Sequence, residues 1–404
     1  MSLTSRDKSP PPAGAAWRAE DHPGRRRFIT LFANEPLLLE AGGRLGPVRV
    51  AYESWGDLDP SRANAVLVEH ALTGDSHAAG PPGPGHPYRG WWDGVIGPGK
   101  GIDTSRWFVV CPNALGGCQG TTGPSLIAPD GRPYGSRFPL ITIRDQVAME
   151  AALADALGIE EWAAVVGGSM GGMRVLEWAV ARPDRVQSGI VIGCGAAATA
   201  EQIALSSMQI NAIRWDPKFR GGDYYGAPDG QGPHEGLGRA RRLGQLSYRS
   251  ERELHERFGR RPQDREEPLA GGRYAVESYL DHHADKLARR FDANSYIVLS
   301  QAMNSHDVGR GRGGISAALA RVEAEVTIVG IDSDRLYPLR LQREIAAALP
   351  GRPEVELLAS LHGHDAFLIE TESVGAILHE SLSKVHIASL ESVDRHAPAS
   401  WCAT

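Results

Sequence analysis

The sequence predicts an α/β protein with a mostly parallel central sheet, helices on both faces of that sheet, and an inserted helical segment. β-Rich runs alternate with helical patterns over residues 47–195, and the alternation resumes at residue 324. Such alternation is typical of parallel strands that helices cover on both sides. Between residues 196 and 312 strand signals are few, and helical patterns rich in Arg, Gln and Tyr dominate.

The first part of the predicted core spans residues 29–195. Apolar residues at helical spacing predict a helix over 142–159, for which Thr142 is the expected N-cap. A second helix begins at Gly172 and ends near Pro183. Strands are predicted at 47–56, 64–70, 106–113, 162–168 and 187–195.

The second part of the predicted core spans residues 313–386. It contains strands at 324–334 and 354–360, a helix at 339–349, and a final helix from about Asp365.

Three further segments lie outside the sheet-forming parts. Residues 196–312 are too many for a structureless loop, so we expect them to form a helical lid. Residues 1–28 are polar and rich in proline and lack the apolar stretch of a signal peptide, so we expect a disordered leader. Residues 387–404 are expected to be a flexible tail.

The composition excludes several classes of function. A net charge of -6 gives no basic footprint for nucleic acid or for a membrane surface. No apolar run approaches the roughly 18–20 residues that span a bilayer. The four cysteines form no CxxC pair, which favours a reducing compartment. We therefore expect a cytoplasmic protein that binds neither nucleic acid nor membranes.

One glycine-rich turn carries the first chemical signal. Gly167-Gly168-Ser169-Met170-Gly171 places G-x-S-x-G between a predicted strand and a predicted helix. This is the context of a nucleophile elbow, a turn so tight that side chains at the flanking positions would clash. Backbone N–H groups at the start of the helix could then stabilise an oxyanion. A phosphate loop is the weaker interpretation, because neither a Lys-Ser/Thr pair nor G-x-G-x-x-G is present.

A serine nucleophile needs a base and an orienting carboxylate, which in this strand–turn–helix context follow in the order serine, acid, histidine. Asp332 and Asp334 follow one late strand, and His362 and His364 follow the next. Spacing alone does not decide which aspartate and which histidine would act with the serine. A metal site at the two histidines lacks a third ligand, so we predict no metal.

Several blocks of the chain occur in the order found in one enzyme family. They are EHALTGDSH (69–77), NALGGCQGTTGP (113–124), TIRDQV (142–147), GGSMGGMRVLEW (167–178), RFDANSY (290–296), HDVGRGRGG (306–314), SDRLYPL (333–339) and HGHDAFL (362–368). From about residue 29 to 384, the sequence thereby resembles the homoserine O-acetyltransferases of the α/β-hydrolase fold. That fold is a mostly parallel sheet with helices on both faces and, here, an inserted lid.

The resemblance implies a role for five residues at the reacting centre. It implies that Ser169 is the nucleophile, that Asp334 is the orienting acid and that His364 is the general base. It also implies that the backbone N–H groups of Leu72 and Met170 form the oxyanion hole.

The resemblance further implies a site for an amino-acid substrate. Arg241 matches the arginine that binds the carboxylate, although Arg242 beside it leaves the register open, and Tyr248 could assist. Asp365 matches the residue that holds the ammonium group. A zwitterion does need one fixed cation and one fixed anion, and the planar fork of arginine suits a carboxylate.

The implied activity is acetyl transfer from acetyl-CoA, through an acyl-serine, to L-homoserine for methionine biosynthesis. Acetyl-CoA is then a co-substrate, no bound cofactor is expected, and the chain is expected to be a homodimer. A succinyl donor, an L-serine acceptor, a plain esterase and a silent binding protein are the alternatives. The presence of all three triad candidates argues against the last of these.

Overall fold

The structure, a computed structural model, describes residues 9–395, with side chains described up to residue 385. The strands are β1 (Arg27–Leu31), β2 (Leu37–Leu38), β3 (Arg44–Leu45), β4 (Val48–Trp55), β5 (Ala65–Glu69), β6 (Phe108–Pro112), β7 (Ala164–Gly168), β8 (Ser188–Ile192), β9 (Glu325–Ile331) and β10 (Val355–Leu358). The α-helices are α1 (Ile143–Leu157), α2 (Met170–Ala181), α3 (Ala200–Arg214), α4 (His234–Tyr248), α5 (Glu251–Phe258), α6 (Ala275–Ala288), α7 (Ala293–Asn304), α8 (Ile315–Leu319), α9 (Leu339–Ala348), α10 (Ala366–Ile369) and α11 (Thr371–Arg395).

The central sheet of the described residues has eight strands in the order β1-β4-β6-β5-β7-β8-β9-β10. The pairs from β6 to β10 are parallel, whereas β1 with β4 and β4 with β6 are antiparallel. The predicted α/β class with a mostly parallel sheet is thus confirmed. The antiparallel edge was not predicted, because strand order depends on long-range pairing.

Apolar side chains cover the sheet on both faces. In β5, Leu67 belongs to the core cluster that includes α1 and α2, while Val66 and Val68 belong to the cluster on the opposite face. All residues of β5, β7 and β8 are buried. Strands buried on both faces are typical of parallel sheets, so these runs read as continuously apolar in the sequence.

The helix predicted over 142–159 is confirmed as α1, and its start follows from its cap. The Thr142 hydroxyl accepts a hydrogen bond from the backbone of Asp145, whose carboxylate accepts one from the Thr142 backbone at 2.8 Å. This reciprocal pair satisfies N–H groups that a helix cannot satisfy internally. Gly158, with φ 70°, ends the helix in the left-handed region.

The segment predicted as a helical lid contains α3 to α7 between β8 and β9. Helix α4 packs against both α3 and α6. This helical segment, residues 196–312, borders the carboxyl edge of the parallel strands because α4 contacts the turn at Gly363–Asp365. It therefore supplies one wall of the functional site.

The two chain ends differ from expectation within the described residues. In the predicted leader, Ala13 is buried and the backbone N–H of Trp17 donates to the carbonyl of Cys118 at 2.9 Å. Residues 1–8 lie outside the described residues. At the other end α11 continues to Arg395 where a flexible tail was predicted from residue 387, and residues 396–404 again lie outside. Among the described helices, none has the length and apolar character that crossing a membrane requires.

Candidate active site

Ser169 occupies a strained turn between β7 and α2. Its backbone has φ 58° and ψ -122°, and its N–H donates to the carbonyl of Ile192 at 2.9 Å. A Cβ on Gly167 would lie 2.6 Å from the backbone carbonyl carbon of Gly171. A Cβ on Gly171 would lie 2.1 Å from the backbone carbonyl oxygen of Glu69. The flanking glycines are thus required by close backbone approach, and the strain at the serine is of the kind that marks functional sites.

A hydrogen-bonded chain runs from this serine through a histidine to a carboxylate. Oγ of Ser169 lies 2.8 Å from Nε2 of His364, and Nδ1 of His364 lies 2.7 Å from Oδ2 of Asp334. All three side chains are buried. The structure thus brings together one member of each ambiguous pair in the geometry that nucleophilic catalysis requires.

The other members of those pairs have different partners. Asp332 accepts a hydrogen bond from the backbone of Ser360 at 3.0 Å. His362 lies 3.2 Å from a carboxylate oxygen of Glu253 and is more exposed than His364. Neither residue takes part in the hydrogen-bonded chain at Ser169.

Backbone and aromatic contacts fix the acid and the base. The second carboxylate oxygen of Asp334 accepts from the backbone N–H groups of Leu336 and Tyr337, both at 2.8 Å. The Tyr337 ring stacks on His364 with 5.0 Å between centroids. Burial lowers the pKa of His364, but the charge of Asp334 and its hydrogen bond outweigh burial and raise that pKa above the usual value.

Leu72 and Met170 frame the serine from two segments. Met170 is the first residue of α2, so its N–H has no acceptor inside the helix. Leu72 follows β5 and lines the same cavity as Ser169. The two residues predicted to supply the oxyanion hole thus both border the nucleophile.

A buried charge cluster that the sequence reading missed ties these two segments together. Nη1 of Arg174 in α2 lies 2.6 Å from Glu69 and 2.9 Å from Glu150, and all three side chains are fully buried. Nη2 of the same arginine donates to the carbonyl of His70 at 2.5 Å, two residues before Leu72. The sequence held one signal of this cluster, namely an arginine in the middle of the helix that follows the serine turn. The buried partners of this arginine come from other elements.

Ser169 opens into a cavity of about 670 Å³. Leu72, His364, Arg241, Tyr248 and Asp365 line it as well. The cavity therefore collects every predicted substrate-binding residue beside the nucleophile.

The structure distinguishes the two adjacent arginines, Arg241 and Arg242. Arg241 lines the cavity and lies over the Tyr248 ring at 5.4 Å. Arg242 instead pairs with Asp281 of α6 at 2.7 Å. Burial raises the pKa of the Tyr248 phenol, which keeps it neutral beside the arginine.

Asp365 is held by neighbours that the sequence did not reveal. Its carboxylate lies 3.2 Å from Nη2 of Arg249 and accepts from the amide of Gln245 at 3.4 Å. Arg249 in turn pairs with Glu253 at 3.2 Å. Glu253 also lies 3.5 Å from Arg257, so two carboxylates and two arginines alternate here and their formal charges cancel.

A second, smaller cavity of about 50 Å³, called the inner cavity below, also borders Ser169. Leu72, Met173 and Tyr337 line it together with the hydroxyls of Ser206 and Ser300. It contains no lysine or arginine among its described lining residues. A small uncharged group is what such a cavity can accept.

Glu53, His77 and His86 form a buried cluster whose three potential metal-ligand atoms lie within 4.8 Å of one another. The two imidazole rings are stacked, with 3.8 Å between centroids and 13° between planes. Ring nitrogens bind metals in the ring plane, so parallel rings direct their lone pairs side by side and not at one point. Nε2 of His86 also accepts from the backbone of Arg25 at 3.0 Å. The cluster fits a hydrogen-bonded group better than a metal centre.

Sequence comparisons agree with this geometry. The profile of a family described as alpha/beta hydrolase fold matches residues 64–371. The chain is 59% identical over 381 residues to a protein named homoserine O-acetyltransferase from Thermobifida fusca strain YX, covering 94% of this chain and 100% of the relative. A homoserine O-acetyltransferase from Mycolicibacterium smegmatis is 57% identical, covering 86% of this chain and 90% of the relative.

Solved structures give the same class of fold. The crystal structure of homoserine O-acetyltransferase from Bacillus anthracis superimposes with a TM-score of 0.81 at 30% identity, covering 88% of this chain and 97% of that one. The crystal structure of esterase E22 superimposes with a TM-score of 0.79 at 27% identity, covering 88% of this chain and 99% of that one. The chain belongs to the α/β-hydrolase fold family and, within it, to the family of the homoserine O-acetyltransferases.

Proposed function

We propose that the chain transfers an acetyl group from acetyl-CoA to the hydroxyl of L-homoserine through an acyl-Ser169 intermediate. The observation that carries this proposal is the chain Ser169–His364–Asp334 beside Arg241 and Asp365 in one cavity. The high identity to proteins named homoserine O-acetyltransferase supports it. The product, O-acetyl-L-homoserine, would enter methionine biosynthesis.

In the first half-reaction, Nε2 of His364 takes the proton from Oγ of Ser169 as the oxygen bonds to the thioester carbonyl carbon. The backbone N–H groups of Leu72 and Met170 hold the resulting oxyanion. The carbon–sulfur bond then breaks, and the histidine gives its proton to the departing thiolate of coenzyme A. Asp334 keeps the imidazole in the required tautomer.

In the second half-reaction, the same histidine takes the proton of the homoserine hydroxyl, whose oxygen bonds to the acyl carbon. The bond to Oγ breaks, and the proton returns to Ser169. Arg241 binds the homoserine carboxylate, with Tyr248 packed beneath the guanidinium. The carboxylate of Asp365, which lines the same cavity, binds the ammonium group. Two fixed charges thus hold the hydroxyl beside the base, which replaces a bimolecular encounter with a held geometry.

The inner cavity favours acetyl over succinyl as the transferred group. A succinyl carboxylate placed there would be buried without a cation among the described lining residues, which is costly. An acetyl methyl group needs no such partner. The choice between homoserine and serine depends on one methylene between the hydroxyl and the two charge sites.

An esterase is the second candidate, because esterase E22 is similar over most of this chain. The triad and the oxyanion groups would serve water as acceptor equally well. The paired positive and negative sites at Arg241 and Asp365 are what an esterase would not need, and they favour an amino-acid acceptor.

We also propose a cytoplasmic homodimer that forms through the helical segment. Five large apolar side chains of this segment are exposed: Ile203, Met208, Trp215, Leu246 and Leu269. Exposed apolar groups of this kind mark association surfaces. Light scattering after gel filtration should give twice the chain mass for the wild type and the chain mass for Trp215→Glu. A monomeric wild type would contradict this part of the proposal.

A matrix of donors and acceptors tests the proposed activity. Thiol release is measured with acetyl-CoA and succinyl-CoA, each with L-homoserine, L-serine or water. The proposal requires the acetyl-CoA and L-homoserine pair to be fastest. Mass spectrometry after mixing with acetyl-CoA alone should show one added acetyl group at Ser169, and a fast water reaction without acceptor selectivity would instead identify an esterase.

A further inference from the structure

Four cations that line the cavity have no ion-pair partner among the described residues: Arg26, Arg241, Lys286 and Arg290. Arg26 donates to two backbone carbonyls and to the amide oxygen of Gln119. Lys286 lies over the Tyr88 ring at 5.1 Å, and Nη1 of Arg290 donates to a backbone carbonyl at 2.8 Å. Arg89 and Arg289, which also line the cavity, pair with Asp93 at 2.5 Å and with Asp285 at 3.2 Å.

Arg241, Lys286 and Arg290 are close enough for their charges to repel one another. Burial and then the charge of Arg241 lower the pKa of Arg290. Burial lowers the pKa of Lys286, and the charges of Arg290 and Arg241 lower it further. Lys286 lies in the last turn of α6, and Arg290 lies two residues beyond the end of that helix. Such crowding is unfavourable until an anion binds.

The acidic side chains that line the cavity offset these charges only in part. Asp365 pairs with Arg249. Asp21 and Asp75 have no ion-pair partner among the described residues, and the charge of Asp75 raises the pKa of Arg290. Two carboxylates against four unpaired cations leave an excess of positive charge, which a bound anion would neutralise.

The substrates differ in how many anionic groups they bring. Homoserine has one carboxylate, which the proposed function assigns to Arg241. Coenzyme A brings a diphosphate and a 3′-phosphate. Phosphate oxygens are bound by the arginine fork in bidentate fashion and by lysine as a point charge.

We propose that Lys286 and Arg290 form a phosphate-binding subsite for the nucleotide part of the acyl donor. This inference rests on the proposed function. It assigns donor recognition to the end of α6, separate from the acceptor charges at Arg241 and Asp365. The subsite acts on binding of the whole donor and leaves the thioester chemistry to the triad.

A truncated donor isolates this effect. S-acetyl-N-acetylcysteamine has the thioester but no phosphate. Lys286→Met and Arg290→Met should each lower kcat/KM for acetyl-CoA by roughly tenfold to 100-fold, as expected for lost charge-assisted contacts. The same variants should acylate Ser169 from the truncated donor at a rate within about twofold of wild type. Added salt should weaken acetyl-CoA use in the wild type more than in the variants.

Arg252→Met is the matched control. This arginine pairs with Glu256 on an exposed helix face, so its substitution should leave the reaction rates with both donors unchanged. Acetyl-dephospho-CoA, which lacks the 3′-phosphate, locates the contact. If the wild type uses it with the same kcat/KM as acetyl-CoA, the subsite binds the diphosphate. If the wild-type kcat/KM for it is as low as that of the variants for acetyl-CoA, the subsite binds the 3′-phosphate.

Two results would overturn the subsite. One is unchanged use of acetyl-CoA by the double variant Lys286→Met/Arg290→Met. The other is an equal loss with both donors, which would indicate a role in the fold or in acyl transfer. Failure of the proposed function has a different signature, namely that wild-type Ser169 is acylated by neither donor.

Discussion

The cavity has a strand side, which carries the serine and its partners, and a helix side, which carries the cations of the helical segment. The two sides differ in whether their polar groups have partners in the absence of substrate. On the strand side, Ser169, His364 and Asp334 satisfy one another at 2.7–2.8 Å. On the helix side, Arg241 and Lys286 face the cavity with aromatic rings as their described partners. The strand side is preorganised for chemistry, whereas the helix side presents cations to the anionic groups that we propose the substrates bring.

This difference matches the two half-reactions that we propose. Any acyl donor would need the strand side. In the proposed function and the proposed subsite, the choice of acceptor and donor depends on charges in α4, near the end of α6 and at Asp365. Changes on the strand side should therefore stop both steps, and changes on the helix side should separate them.

The largest expected effect is that of Ser169→Ala. Loss of a nucleophile that acts as a unit with its base typically costs on the order of 10⁴–10⁶ in rate. Steady-state thiol release and acyl-enzyme mass measure the loss, and circular dichroism should be unchanged. Ser61→Ala, in an exposed loop, is the control. More than a few per cent of residual activity in the first variant would remove Ser169 from its role.

The next effect separates the two histidines of the strand side. His364→Ala should lose acetyl-enzyme formation, by roughly 10⁴-fold if the base acts with Ser169 as a unit. His362→Ala should retain it, because that side chain pairs with Glu253 and not with the serine. Mass spectrometry after mixing with acetyl-CoA distinguishes them. Equal loss in both variants would show that His362 supports the turn that carries the base.

Changes on the helix side should split the half-reactions. Asp365→Asn and Arg241→Ala each remove one charge-assisted contact to homoserine, which is expected to slow the second step by roughly 30-fold to 5,000-fold. Acetyl-Ser169 should still form at near the normal rate. Rapid mixing with acetyl-CoA alone, followed by homoserine, measures the steps separately. If Asp365→Asn blocked acetylation and spared transfer, the acceptor role of Asp365 would be wrong.

The smallest expected effect is the position of the pH profile. His364 must be neutral to act as a base, and Asp334 raises its pKa, so the acid limb of acylation should lie above the usual imidazole pKa of about 6.5. The protonated form also contributes folding stability that is present below that usual pKa and is lost as the pH rises through the raised value.

A single-turnover acylation assay across pH measures the limb. Arg242→Ala should leave it in place with a rate within about twofold, because this arginine pairs with Asp281 away from the triad. A limb at or below the usual imidazole pKa would contradict the assigned influence of Asp334.

Much of the fold could be predicted because its signals are local. The helix at 142–159 follows from apolar spacing and from Thr142, and both features act within one or two turns of the chain. The strands at 64–70 and 162–168 are buried on both faces and read as unbroken apolar runs. The predicted leader and tail fared differently, since Ala13 is buried by contacts far along the chain and α11 runs past residue 387.

By itself, the sequence determined the parallel core, the glycine-flanked serine and the order serine, acid, histidine, because these depend on residue types and short spacings. Spacing left both pairs open, and the resemblance to a family implied His364 and Asp334; the tertiary structure shows that these two, and not their neighbours, meet Ser169. It also decided that Arg174 is buried between Glu69 and Glu150, and that Lys286 and Arg290 face the nucleophile's cavity. The physical reason is that charge pairing and burial depend on which distant segments the folded chain brings within a few ångströms, and a linear spacing does not record that.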